Sequence, residues 1–189
     1  RTRLIHRKTR LGKQAVHRLI EKQHSAMLRF TDRKILEIET VILETFKEDE
    51  KLENNFKKLQ KIPGIGQKTA FGLIEHLGTD ASKFPSAEKF CAFAGLYPTK
   101  KESGMMKGQE KLTRKGCRPL RSMLYLAAMS TVSKKRDNAW GRYYKSKLLE
   151  GKKPKQILIA MAGKMAKLAW TLIAKNFEFD ETKLLPNFA

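Results

Sequence analysis

Ser103 is followed by Gly104 in a strongly cationic stretch. Between positions 100 and 121 the basic residues are Lys100, Lys101, Lys107, Lys111, Arg114, Lys115, Arg118 and Arg121, against Glu102 and Glu110. A serine hydroxyl is a weak nucleophile unless its environment activates it. Attack on a phosphodiester also needs cations to offset the charge that builds on the phosphoryl oxygens. A small residue after the serine lets a strand's backbone come close. The pattern therefore has the parts for phosphoryl chemistry. A serine before a glycine is ordinarily a turn residue, and composition alone leaves it as one.

A second constellation reads Ile62-Pro63-Gly64-Ile65-Gly66-Gln67-Lys68-Thr69-Ala70. Two glycines flanking one apolar residue permit a tight turn with positive φ. The helix that follows opens with free backbone N–H groups. Those donors, with Gly64, Gly66, Lys68 and Thr69 around them, suit a phosphate. The pattern resembles the helix-hairpin-helix motif of DNA repair and recombination proteins. Such contacts would position DNA without reading its bases. A plain interhelical turn is the competing reading.

The charge points the same way. The 189 residues hold 40 Lys+Arg against 19 Asp+Glu, a formal net charge of +21. Residues 1–30 carry 9 basic and 1 acidic residue, and residues 100–153 carry 16 and 4. Residues 31–60 are slightly acidic, with 6 and 8. Two cationic blocks of this size call for a polyanion. Nucleic acid is the first candidate and an anionic membrane surface the second; no uninterrupted apolar run reaches the ~18 residues that span a bilayer, and the expected partner is nucleic acid with no membrane. Cys91 and Cys117 are too few for a disulfide framework and imply a reducing compartment. His6, His17, His24 and His76 have no metal-ligand spacing with them and read as surface or arm residues, so no metal site is expected. Cys117 has no histidine near it in sequence. Lys134-Lys135-Arg136 and Lys152-Lys153 bracket Trp140, Tyr143 and Tyr144. Interleaved cations and aromatics can hold single strands, but Trp140, Met161, Met165 and Trp170 read better as core.

These residues must be positioned by helices. Residues 13–60 read as helix, with apolar Leu28, Ile35, Ile38, Ile42, Leu52, Phe56 and Leu59 on an imperfect 3-and-4 spacing. That suits a coiled coil or hairpin arm, or a long helix packed on its own domain. Thr31 and Asp32 could cap a second helix within it. Further helices are expected at 67–77, closed by Gly78; at a short segment capped by Ser86 and ending before Gly95; at 120–132 behind Pro119; at 138–149; and at 155–176. Residues 97–116 read as a basic loop that allows short strands. The fold class is mostly α: an arm over 1–58, a compact domain over 59–177 and an irregular tail over 178–189.

From about residue 59 to 177 the chain resembles the C-terminal domain of insertion-sequence transposases related to the Piv DNA invertase, a group known as bridge-RNA-guided recombinases. The features run in order. Ile62-Pro63-Gly64-Ile65-Gly66 with Thr69-Ala70 comes first. Phe84-Pro85-Ser86-Ala87 and Phe93-Ala94-Gly95-Leu96-Tyr97-Pro98 follow. Glu102-Ser103-Gly104, Lys107-Gly108 and Leu112-Thr113-Arg114-Lys115-Gly116 lead on to Arg118, Arg121 and the helix at 123–129. The resemblance implies that Ser103 is a nucleophile forming a transient phosphoserine link to cleaved DNA. It implies DNA as partner, admits a structured guide RNA, and fits a dimer or tetramer joined through the arm. Magnesium is expected only in a RuvC-like N-terminal domain that this sequence does not contain. Glu48-Asp49-Glu50 does not match its ligands and reads as a solvated face. The chain is thus expected to be the serine-bearing portion of a recombinase, not active alone, in the bacterial cytoplasm at the nucleoid. The rival readings are a non-enzymatic helix-hairpin-helix module for DNA or RNA, and an assembly piece driven by the arm.

Overall fold

The computed structural model describes residues 2–99, 111–112, 115–132 and 138–180, with side chains described for 14–97, 115–132 and 138–180. It divides into two units, Arg1–Asp49 and Glu50–Ala189. The mostly helical architecture expected from the sequence is what is observed.

The first unit is one helix, α1 (Thr2–Glu48). Thr31 and Asp32 do not split it. The hydroxyls of Thr31, Thr40 and Thr45 donate to the carbonyls of Met27, Leu36 and Val41 at 2.8, 2.8 and 3.0 Å. Back-bonding of this kind turns a capping residue into a helix-interior one. The helix ends instead at Asp49, and α2 (Glu50–Gln60) begins the second unit. The apolar spacing accordingly divides between the units. Leu28 and Ile38 are 65% and 60% exposed, whereas Phe56 and Leu59 are buried.

In the second unit α2 is followed by α3 (Gln67–Leu77), α4 (Ala87–Phe93), α5 (Arg118–Thr131), α6 (Ala139–Leu149) and α7 (Pro154–Ala174). A two-residue antiparallel pair, β1 (Pro98–Thr99) and β2 (Lys111–Leu112), lies between α4 and α5, with Pro98 opposite Leu112 and Thr99 opposite Lys111. The caps are those the sequence indicated. Ser86 accepts from the Lys89 amide at 3.3 Å, Gly78 closes α3 at φ 70°, and prolines open α5 and α7.

Helix α7 is the centre of the core. Its buried face includes Ile157, Met161, Ala162, Met165, Ala166 and Ala169. Alanines and Gly163 let α4 approach closely: a Cβ on Gly163 would stand 3.5 Å from Cys91 Sγ, which donates to the Gly163 carbonyl at 3.8 Å. By length and composition alone α7 is long and apolar enough to cross a membrane, although Lys164 and Lys167 interrupt its apolar run. Here its apolar positions serve as the interior against α4 and α5. Leu59, Leu73, Leu120 and Leu124 are fully buried around it. Truncating any one to alanine costs about 2–5 kcal/mol. Trp140 is also fully buried, as expected for core. Trp170 pins the 79–86 turn by donating from Nε1 to the Phe84 carbonyl at 3.0 Å.

The C-terminal turn ties back to α2. Buried Lys58 donates to Asn176 Oδ1 at 2.5 Å, and exposed Lys61 meets Glu178 at 2.6 Å. Helix α2, which the sequence reading placed with the arm, therefore lies within the compact unit.

Candidate functional site

The turn between α2 and α3 runs from Lys61 to Gly66 and is anchored by its apolar residues. Ile62 and Ile65 are buried, and the Ile65 amide donates to the Ile62 carbonyl at 3.0 Å. Gly64 has φ 93°. A Cβ there would stand 2.5 Å from Thr131 Cγ2 and 2.6 Å from the Ala127 carbonyl oxygen. This glycine serves a close approach between the turn and the end of α5. Gly66 differs: it has φ −87°, so the positive φ expected of the pair occurs at Gly64 alone. Nothing stands within 4 Å of a Cβ built on Gly66. It is the N-cap of α3, no side chain caps that helix end, and the first helical bond runs from the Ala70 amide to the Gly66 carbonyl at 2.9 Å. The amides of Gln67, Lys68 and Thr69 thus belong to the donor-rich first turn, with Lys68 exposed and Thr69 half-buried beside it. Of the four expected turn residues, three share this open helix end and Gly64 faces the protein.

The basic loop is closed at its base by a second pair of glycines. Gly95 ends α4 at φ 68° and Gly116 precedes α5 at φ 117°. A Cβ on Gly116 would stand 2.6 Å from the Phe93 carbonyl oxygen, and one on Gly95 would stand 2.5 Å from the Lys115 carbonyl oxygen and overlap the Arg121 guanidinium. The Cys117 amide donates to the Phe93 carbonyl at 2.7 Å. Beyond this junction β1 and β2 bring Thr99 opposite Lys111. The segment carrying Ser103 therefore leaves and rejoins the domain through a paired stem. Ser103, Lys100, Lys101, Lys107 and Arg114 lie outside the described residues, as does the Lys111 side chain. Among the rest, Lys115 and Arg118 are exposed beside the junction. Arg121 is half-buried and donates from a guanidinium nitrogen to the Ala94 carbonyl at 3.4 Å, bracing the stem.

Two features escaped the sequence reading because they are made by residues far apart in the chain. His76 of α3 is half-buried, lies edge-on to Phe93 with ring centroids 5.3 Å apart, and brings Nε2 to 3.6 Å from Cys117 Sγ. It is neither a surface nor an arm residue, and Cys117 does have a histidine neighbour. The second feature is a cationic face on α6 and α7. Burial, with the ammonium groups of Lys147, Lys167 and Lys152 nearby, holds Lys164 below its ordinary pKa. Lys164 and Lys147 both stand over the Tyr143 ring, at 5.1 and 5.7 Å.

Among the described residues no three of His, Cys, Asp or Glu gather as a metal site. Those residues do not fit a magnesium ion.

The arrangement defines a helical domain with a glycine-locked basic hairpin inserted between α4 and α5. Residues 56–145, which include the α2–α3 turn and both short strands, match the Transposase IS116/IS110/IS902 family. The chain is also similar to the pilin gene-inverting proteins of Moraxella bovis and Moraxella lacunata, 35% identical over 131 residues and 36% over 124, which is 69% and 65% of this chain. It is 28% identical over 147 residues, 75% of its length, to the 42 kDa protein of insertion element IS900 from Mycobacterium paratuberculosis. The matches cover 40%, 38% and 36% of those relatives, so the chain spans under half the length of each.

Proposed function

We propose that the chain is the serine-bearing portion of a DNA transposase or site-specific recombinase. The observation that supports this most directly is that residues 56–145, the transposase-family span, contain Ser103 between strands closed by Gly95 and Gly116. The reaction is a transesterification. Ser103 Oγ forms a bond to a backbone phosphorus, and the bond from that phosphorus to one deoxyribose oxygen breaks. The serine proton passes to a base, and the departing oxygen gains one. Attack by a new strand's hydroxyl reverses the step, frees the serine and joins the strands. Lys100, Lys101, Lys107, Lys111 and Arg114, with Lys115, Arg118 and Arg121, would offset charge on the phosphoryl oxygens. The open end of α3 at Gly66, Lys68 and Thr69 would hold a neighbouring phosphate.

The partner is DNA, with a structured guide RNA as a further partner, in the bacterial cytoplasm at the nucleoid. Magnesium, if the whole protein uses it, would sit on a separate RuvC-like domain. The isolated chain would then bind DNA without cleaving it. Exposed Val16, Leu19, Ile20, Met27 and Leu28 on α1 support pairing of the arm with further copies, as a dimer or tetramer. Light scattering on the chain with and without DNA tests that arrangement.

The decisive experiment supplies a longer relative's N-terminal portion in fusion and compares wild type with Ser103→Ala. Covalent protein–DNA adducts in the wild type alone are expected. Adducts formed equally by both would remove Ser103 from the chemistry. Salt-sensitive DNA binding with no adduct from any fusion would favour a non-enzymatic binding module.

A further inference from the structure

A cleft of about 440 Å³ opens between α5 and α7, directly beside the glycine-locked junction. Leu96, the residue after Gly95, and Ile159 of α7 line it. Tyr125 and Leu126 of α5 line it too, and Leu126 is 55% exposed. Arg121 and Lys155 add two cations to the lining, and Ser122 supplies a hydroxyl. We propose that this cleft receives one unpaired nucleotide of a nucleic-acid strand, its base against Tyr125, Leu126 and Ile159 and its phosphate between Arg121 and Lys155. The inference rests on the reading of the domain as DNA-acting.

Three observations select this occupant. The lining joins apolar and aromatic side chains to two cations, which matches a flat base carrying a phosphate and matches neither a purely apolar nor a purely anionic ligand. The cleft's volume suits one nucleotide, not a duplex. Its position also counts. Arg121 touches both the cleft and the base of the hairpin that carries Ser103. Lys155 lies in the first turn of α7, where the helix dipole adds to the attraction for a phosphate. A strand held at that junction has adjoining nucleotides within reach of the cleft. An unpaired base there would be held out of the stack at modest cost. DNA and RNA strands both carry the base and phosphate that the cleft requires.

The test uses a single-stranded oligonucleotide with 2-aminopurine moved one position at a time, alongside a blunt duplex. Ser122 is exposed, so Ser122→Phe fills the cleft, and Tyr125→Ala removes the stacking surface. The wild type should change the fluorescence at one position of the single strand. Both variants should abolish that change and weaken single-strand binding at least about fivefold, with duplex affinity unaltered. If Tyr125→Ala does not fold, Ser122→Phe alone decides. Unchanged fluorescence and affinity in Ser122→Phe would overturn the cleft as a nucleotide site while leaving the DNA-acting reading intact. A wild type that binds neither oligonucleotide nor duplex would overturn both. The same oligonucleotide in ribose form identifies the source: a variant-sensitive signal from DNA, RNA or both supports the cleft and says which strand fills it.

Discussion

A Cβ placed on Gly116 would stand 2.8 Å from the backbone nitrogen of Gly95 and 3.0 Å from its Cα. The two glycines, from the end of α4 and the approach to α5, are packed backbone to backbone. Both have positive φ, so alanine at either position meets a strained backbone and a backbone collision together. Gly95→Ala and Gly116→Ala should each destabilise the domain by about 3 kcal/mol, the sum of a left-handed conformation and an overlap that only backbone movement relieves. Urea titration followed by circular dichroism measures this. Wild-type midpoints in both variants would mean that the junction does not lock the hairpin.

The two thiols should differ in reactivity. Cys91 is buried between α4 and α7, and that burial raises its pKa. Cys117 is only partly buried, at the start of α5 beside His76. At pH 8 an alkylating reagent should modify Cys117 first, and Cys91 only as the domain opens. Peptide mass spectrometry over a labelling time course reads this directly, and equal rates at the two sites would contradict the packing of α4 on α7.

Glu178 gives a pH-dependent contribution of known sign. Its hydrogen bond from Lys61, followed by the charges of Lys61 and Lys58, lowers its pKa from the ordinary 4.5. A carboxylate whose pKa is depressed on folding adds stability that is fully present above its unfolded value and lost as pH falls through the folded one. Glu178→Gln should therefore lower Tm slightly at pH 7, with the effect fading as pH falls through the lowered folded-state pKa. Thermal melts of both proteins across that range test the sign. A difference that grows on acidification would refute the pairing with Lys61.

If Lys115 and Arg118 meet phosphates, they do so by charge. Each neutralised phosphate contributes about 0.9 to the slope of log affinity against log salt on duplex DNA. Lys115→Ala and Arg118→Ala should each flatten that slope by about one unit, with little dependence on DNA sequence. An unchanged slope would remove the residue from the interface.

Local signals carried most of the fold. Ser86, Pro119, Asn138 and Pro154 each act through their own backbone or a partner three residues on, so caps and helix starts are legible residue by residue. The end of α1 was not legible in this way. Thr31 is a good cap in isolation, but its hydroxyl bonds to Met27 and the helix continues. The base of the hairpin was legible only as a list of glycines. That Gly95 packs on Gly116, and Gly64 on α5, depends on which helices meet. The same holds for His76 and Cys117, and for the cleft, whose walls are drawn from residues 96 to 159.

Gly64 and Gly66 look equivalent in sequence, yet the structure gives them different duties, and alanine should separate them. At Gly64 the added methyl meets the Ala127 carbonyl and Thr131 from a backbone at φ 93°. Gly64→Ala should cost about 3 kcal/mol of stability. At Gly66 the backbone is at φ −87° and the methyl meets open space. Gly66→Ala should cost no more than about 1 kcal/mol, the usual penalty for a poorer N-cap. Its effect should appear in DNA binding instead, because the methyl occupies the approach to the first amides of α3. A loss of roughly tenfold in affinity corresponds to one charged hydrogen-bond arrangement at that helix end. Melting curves and binding isotherms on the same two variants decide the matter. A Gly66→Ala protein that binds DNA as the wild type does would leave the turn as a packing element, with the phosphate contacts made elsewhere.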